Sequence, residues 1–273
     1  MNPHYLPTEV IFEWGTTTNY GNISALTNNP IEGNTQVNVY TDLSGLEPET
    51  TYHFRIKATN ILGTVFGEDL TFKTFAAIDG DGTGYYSVLI NTQTWLTENL
   101  KTLKYSNGDL IGTTNPSSLD VSGESTPKYQ WASLDDENKV SAYGRMYTWN
   151  VVADSRGICP AGWHVPSQTE WVTLIDYLGG EAVAGSKLKE TGTIHWNFNS
   201  DATNESGFTA LPGGTRFSYG MFWGANHAGV FWTTTPYINP IYSRVIVIYG
   251  DRPNIDYHTQ EKESGQSIRC IKD

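Results

Sequence analysis

The chain has little cysteine: Cys159 and Cys270 are its only two. Two can form one disulfide or stay as separate buried thiols, and they are too few for a cysteine-based zinc site. Long apolar runs are missing as well. No stretch approaches the roughly 18–20 residues that span a bilayer. Met1 opens neither the basic start nor the apolar segment of a secretory signal. Charged residues make up only 17%, and the net charge of −12 is spread along the chain rather than gathered in blocks. A nucleic-acid footprint needs clustered Lys and Arg, so no nucleic-acid partner is expected.

Enzyme signatures are also absent. There is no H-E-x-x-H, no G-x-S-x-G, no P-loop, and no G-x-G-x-x-G between a strand and a helix. The six histidines, His4, His53, His164, His195, His227 and His258, are scattered, and none pairs at i, i+4 on a helix. His164 sits in a turn before Pro166 and reads as a structural hydrogen-bonding residue. Asp79-Gly80-Asp81-Gly82-Thr83-Gly84 has the alternating carboxylates of a calcium loop, but its twelfth position is Ile90 where an EF-hand needs Glu. It reads as a turn at a strand start. No cofactor and no metal site is expected.

Glycine and aromatics are plentiful: 27 Gly, with 13% Phe, Trp and Tyr, in 273 residues. That mix suits β-rich structure with tight turns, and the length allows two domains. From Thr8 to Phe75 the pattern has period two. Val10, Phe12 and Trp14 alternate with Ile11 and Glu13; Val37 and Val39 follow suit; Tyr52, Phe54, Ile56 and Ala58 alternate with His53, Arg55 and Lys57. Alternation of this kind marks half-buried strands, and Asn/Gly/Pro clusters between them mark turns, so a sandwich is expected.

Tyr85–Ile90 and Gln93–Trp95 read as a hairpin, residues 105–128 as loops, and Tyr143–Val152 as a helix. Ser167 with Glu170 is a capping box, and Trp171, Leu174, Ile175 and Leu178 form one apolar stripe ending at Gly179-Gly180. Glu181–Glu190 reads as a second helix. Thr193–Trp196, Phe208–Leu211, Gly229–Thr234, Tyr242–Tyr249 and Gly265–Ile271 read as strands. This part is α+β.

Leu46-Glu47-Pro48-Glu49-Thr50-Thr51-Tyr52, with Glu13-Trp14-Gly15 through Gly21 and Asn60-Ile61-Leu62-Gly63-Thr64, resembles a fibronectin type III domain. The resemblance implies that the Tyr52 hydroxyl ties back to the upstream backbone. It covers residues 1–76 and lacks the two strands that precede Val10–Trp14 in a complete domain. It therefore implies that Met1 is not the natural start and that a secretion signal lies upstream.

Trp95-Leu96-Thr97-Glu98-Asn99-Leu100, Tyr143-Gly144-Arg145-Met146-Tyr147-Thr148-Trp149, Cys159-Pro160-Ala161-Gly162-Trp163-His164-Val165-Pro166, Lys187-Leu188-Lys189-Glu190, Asn204-Glu205-Ser206-Gly207-Phe208 through Gly214, and Ser267-Ile268-Arg269-Cys270 follow in order. Together they resemble the Fibrobacter succinogenes major paralogous domain over residues 77–273. The family occurs on secreted and surface-attached proteins of Bacteroidetes-like bacteria. Trp163 to Trp171 and Arg269-Cys270 also resemble the C-type lectin-like fold of formylglycine-generating enzymes. These resemblances imply a Cys159–Cys270 bridge, with both cysteines structural rather than reactive, and an extracellular or outer-membrane location.

The lectin resemblance does not extend to calcium-dependent sugar binding. Neither Glu-Pro-Asn nor Gln-Pro-Asp occurs, and Trp196-Asn197-Phe198-Asn199 and Arg252-Pro253-Asn254 imitate the motifs only in part. In lectin-like folds the late loops display the binding face. That places candidate ligand residues at Tyr219, Phe222, Trp223, Asn226, His227, Tyr237 and Tyr242, with Asn239 and Tyr257 beside them. The expected function is non-enzymatic adhesion to a glycan or an extracellular protein. Two alternatives stand beside it. One is a glycan hydrolase using a carboxylate pair from Asp135, Asp136, Asp201 or Glu205. The other is a subunit of a surface fibre joined through an open sheet edge.

Overall fold

The computed structural model describes residues 1–273. It is mostly β, with several small sheets, few helices and no closed barrel. The chain divides into two compact units, Met1–Phe75 and Ala76–Asp273.

The first unit holds strands β1 (Glu9–Gly15), β2 (Asn22–Ala25), β3 (Thr51–Asn60), β4 (Gly63–Phe66) and β5 (Leu70–Lys73) in one antiparallel sheet. Its order is β2-β1-β3-β4, and β5 also pairs with β3. The register sets Phe12 opposite Ile56, Trp14 opposite Phe54 and Tyr52 opposite Phe72, so these side chains share one apolar face. Glu13 and Arg55 face each other on the other side and form a 2.8 Å ion pair. No second sheet covers the apolar face, so the expected sandwich is a single layer. The connection between β2 and β3 lies over it instead, leaving a cleft of about 380 Å³ lined by Phe12, Trp14, Val39, Leu43, Phe54 and Phe72. Val37 and Val39 belong to that connection and make no strand; two apolar positions are too few to set a ladder.

The Tyr52 hydroxyl accepts a hydrogen bond from the Glu47 amide at 3.0 Å. Tyr52→Phe removes the acceptor and keeps the ring packed. The loss expected is about 1 kcal/mol, together with faster hydrogen exchange at the Glu47 amide. Unchanged protection there would show that the bond is idle.

The second unit begins with β6 (Ala77–Ile78), β7 (Gly84–Tyr85), β8 (Ser87–Ile90), β9 (Gln93–Leu96) and β10 (Gln130–Ala132). Helix α1 (Val140–Tyr143), β11 (Arg145–Tyr147), helix α2 (Trp149–Val152), β12 (Trp163–His164), and helices α3 (Gln168–Tyr177) and α4 (Glu181–Leu188) follow. Next come β13 (Thr215–Arg216), β14 (Phe222–Trp223), β15 (Ala228–Pro236), β16 (Tyr242–Tyr249), β17 (Ile255–Glu261) and β18 (Ile271–Lys272).

The sheet β15-β16-β17 divides two apolar cores. Val245 and Val247 of β16 enter one with Val230 and Trp232; Ile246 and Ile248 enter the other with Phe231 and Ile255. A strand covered on both faces must be apolar at successive positions, which accounts for the run Val245-Ile246-Val247-Ile248. The second core is closed by α3 and α4. Ser167 Oγ accepts from the Glu170 amide, and Glu170 Oε2 accepts from the Ser167 amide at 2.7 Å, completing the capping box. Trp171, Leu174, Ile175 and Leu178 are all buried. The amides of Gly179 and Gly180 donate to Asp176 and Ile175, the paired bonds of a Schellman ending.

The first core holds the disulfide. Cys159 and Cys270, 111 residues apart, are bonded and buried with Cα atoms 6.0 Å apart. Four strands in the order β12-β18-β9-β8 flank it, so β18 is an inner strand.

Several elements depart from the sequence reading. Tyr143–Val152 is not one helix. Gly144 turns to φ 72° after α1, where a Cβ would meet the Leu100 carbonyl at 2.6 Å, and Arg145–Tyr147 leaves to pair with β10. Thr193–Trp196 and Phe208–Leu211 are irregular; their apolar residues mark single buried anchors such as Trp196 and Phe208. Gly265–Ile271 makes isolated bridges at Gly265, Gln266 and Ser267 before β18. Ile255–Glu261 is a strand where a loop was expected.

Candidate functional site

The structure does not gather the expected ligand residues on one face. Tyr219, Phe222 and Trp223 share the β13–β14 hairpin, and Asn226 and His227 lie on the turn that follows. Tyr237, Asn239 and Tyr242 lie at the β15–β16 connection. The nine residues of β15 separate Trp223, Asn226 and His227 from this connection by roughly 27 Å along the strand. The hairpin tip, by contrast, reaches back towards it: Ser218, beside Tyr219, donates to Glu261, which faces Tyr242. Tyr257 is a β17 residue packed against the second core, where burial, then the charges of Glu181 and Asp176, push its hydroxyl up to about 12.

The group at the start of β15 is the richer one. Trp223 is 50% exposed. His227 is exposed, 3.2 Å from Asn197 Nδ2, with its ring 5.9 Å from that of Phe198, which is 61% exposed. The Asn197 amide donates to the Asn226 carbonyl at 2.8 Å, fastening the two loops together. Asn226 takes the left-handed conformation, φ 66°, at this turn. Tyr219, at the hairpin tip and so apart from this group, is exposed and stacks on Phe217 with rings 5.3 Å apart. Phe198 entered the sequence reading only as part of an imperfect lectin motif; its exposure beside His227 could not be read from spacing.

At the far connection Tyr237 lies under Arg244 at 5.5 Å, Asn239 Oδ1 accepts from the Ile241 amide, and Ile238 is 92% exposed. The four carboxylates considered for hydrolysis occupy separate settings. Asp201 binds the buried Lys189, and Glu205 pairs with Lys187 at 2.8 Å. Asp136 caps Asn138, and Asp135 lies in a 3₁₀ turn with φ 56°. In the Asp79 loop, Asp79 accepts from the amides of Asp81 and Thr83 and from the Tyr85 hydroxyl at 2.7 Å. That is a turn at a strand start.

His164 is clasped between Asp273 on Nδ1 at 2.7 Å and Glu170 on Nε2 at 2.9 Å. Burial opposes its charge, but the hydrogen bonds to Glu170 and Asp273 outweigh it and raise its pKa above 6.5. Burial likewise pushes Glu170 up, while the Ser167 amide and His164 pull it below 4.5 on balance. The histidine contribution is complete below about 6.5 and is lost as pH rises through the raised value. The glutamate contribution is present above about 4.5 and is lost as pH falls through the lowered value. The clasp is therefore strongest between those limits. The melting temperature of His164→Gln should trail the native protein most near pH 5 to 6 and least near pH 8. An equal gap at both ends would refute the clasp.

The Ala76–Asp273 unit is thus a β-rich domain of several small sheets with two apolar cores, a bridged inner strand and exposed aromatic loops. The chain belongs to the Fibrobacter succinogenes major domain family, whose model matches residues 88–272. No curated protein and no solved structure matched the chain.

Proposed function

We propose that the protein is a non-enzymatic extracellular or cell-surface binding module. The Ala76–Asp273 unit, read as C-type lectin-like, presents the ligand face, and the Met1–Phe75 unit, read as an incomplete fibronectin type III domain, serves as spacer. The Tyr52–Glu47 bond and the β2-β1-β3-β4 order support the second assignment. The exposed Trp223, Phe198 and His227 at the start of β15 carry the first. Flat rings beside amide and imidazole groups offer stacking and directed hydrogen bonds, the chemistry that holds a glycan or a polar peptide. Asp201 and Glu205 are already neutralised by lysines, which counts against the hydrolase reading.

The test is a panel of glycans and extracellular proteins, screened with and without calcium. Trp223→Ala and Phe198→Ala should each weaken the strongest interaction by about tenfold or more, the loss of 1–2 kcal/mol typical of a stacked aromatic anchor. Absence of any ligand, or variants that bind as the native protein does, would remove this face from consideration.

A further inference from the structure

Lys189 closes α4 and is fully buried. Its Nζ lies 2.8 and 3.0 Å from the two carboxylate oxygens of Asp201. The carbonyl oxygens of Tyr249, Gly250 and Arg252 stand 3.2, 3.2 and 3.1 Å away. An ammonium has three N–H donors, and five oxygens converge on this one. That is more than a salt bridge requires. One carboxylate with several main-chain carbonyls is the ligand chemistry of a hard-cation cage. The distances are those of ammonium hydrogen bonds, longer than the roughly 2.3–2.6 Å of bound calcium.

The oxygens come from two segments that also build the aromatic face. Asp201 follows Asn197 and Phe198 in one loop. Gly250 donates its amide to the His227 carbonyl at 2.9 Å and fits so closely that a Cβ would meet the Phe198 carbonyl at 2.3 Å. Without a positive charge between them, the carboxylate and three carbonyls would repel one another and the segments would part.

We propose that Lys189 is a tethered cation: its ammonium fills an oxygen cage suited to a bound ion and so holds the Asn197–Phe198–His227 face in shape without metal. The cage stands on its own geometry; that it serves recognition rests on the function proposed above. Lys189 is a positioning residue, and the ligand preference of the face should be indifferent to calcium.

The experiment is thermal unfolding of the full chain with Lys189→Ala, in tetramethylammonium chloride as the control salt and in ammonium, methylammonium, potassium or calcium chloride. The variant should melt about 10 °C lower, as expected for removing the charge at the buried centre of the cage in a unit of this size. Ammonium or methylammonium should restore at least half of that, with no gain for the native protein or for Lys189→Ala combined with Asp201→Ala. If the variant is unfolded in the control salt, recovery of near-UV circular dichroism on adding the small cation is the same readout. Failure of every cation to restore the variant would overturn the proposal. So would a calcium-induced rise in the native melting temperature that Asp201→Asn abolishes. An intact mass one water below the sequence mass would also overturn it, since Lys189 and Asp201 would then share an amide and carry no charge. None of these readouts uses a ligand, so a blank binding screen leaves them standing.

Discussion

Replacing Arg269 with leucine is expected to destabilise the Ala76–Asp273 unit by roughly 3–5 kcal/mol. The guanidinium is fully buried and meets no carboxylate. Its Nε and Nη2 donate to Asn99 Oδ1 at 3.1 and 2.8 Å, and Nη1 donates to the carbonyls of Leu96 and Phe208 at 3.0 and 2.5 Å. The Phe208 ring lies 4.3 Å below. Burial pulls the pKa down to about 9, which leaves the group charged at neutral pH. Leucine fills the space but strands these oxygens, each costing about 1–3 kcal/mol where water cannot reach. Lysine keeps the charge yet places all donors on one atom, which cannot span Asn99 and two separate carbonyls. Denaturant unfolding should therefore rank Arg269→Lys near Arg269→Leu. A lysine variant within about 1 kcal/mol of the native protein would show that charge matters here and the planar fork does not.

Loss of the Cys159–Cys270 bond is the other large effect. It closes a 111-residue loop. In the chain-entropy model a loop of about 100 residues is worth roughly 4–5 kcal/mol, chiefly by limiting the unfolded chain. Cys159→Ala with Cys270→Ala avoids leaving hydroxyls in the first core and should lower stability by an amount of that order. If the double variant unfolds at the native denaturant midpoint, the bridge adds nothing to folding. Because both sulfurs are buried, dilute reductant should act on the native protein only as fast as the unit opens.

The helix α3 was legible residue by residue. Ser167, Glu170 and the stripe from Trp171 to Leu178 state a start, a face and an end within one short stretch. β1 and β3 were legible from their alternation. β17 was not, because one face of Ile255–Glu261 is polar and only Ile255 is fully buried. Tyr143–Val152 misled for the opposite reason: it is buried or half-buried at every position, so no period separates helix from strand, and the break rests on one glycine. Charged residues gave the deepest surprise. Lys189, Arg216 and Arg269 look like surface residues in sequence, yet each is wholly enclosed, with carbonyl oxygens as partners. Partners of that kind leave no trace in side-chain spacing. The candidate ligand face was half legible. Its aromatics were found, but the length of β15, which parts Trp223 from Tyr237, and the approach of Phe198 belong to the fold alone.

The order β12-β18-β9-β8 places nearly the last residues of the sequence inside their sheet. Ile271 pairs with both His164 and Trp95, and Leu96 donates its amide to Cys270. A polypeptide made N-terminus first cannot close this unit until those residues emerge. Until then β9 and β12 lack the strand that joins them, and Cys159 lacks its partner.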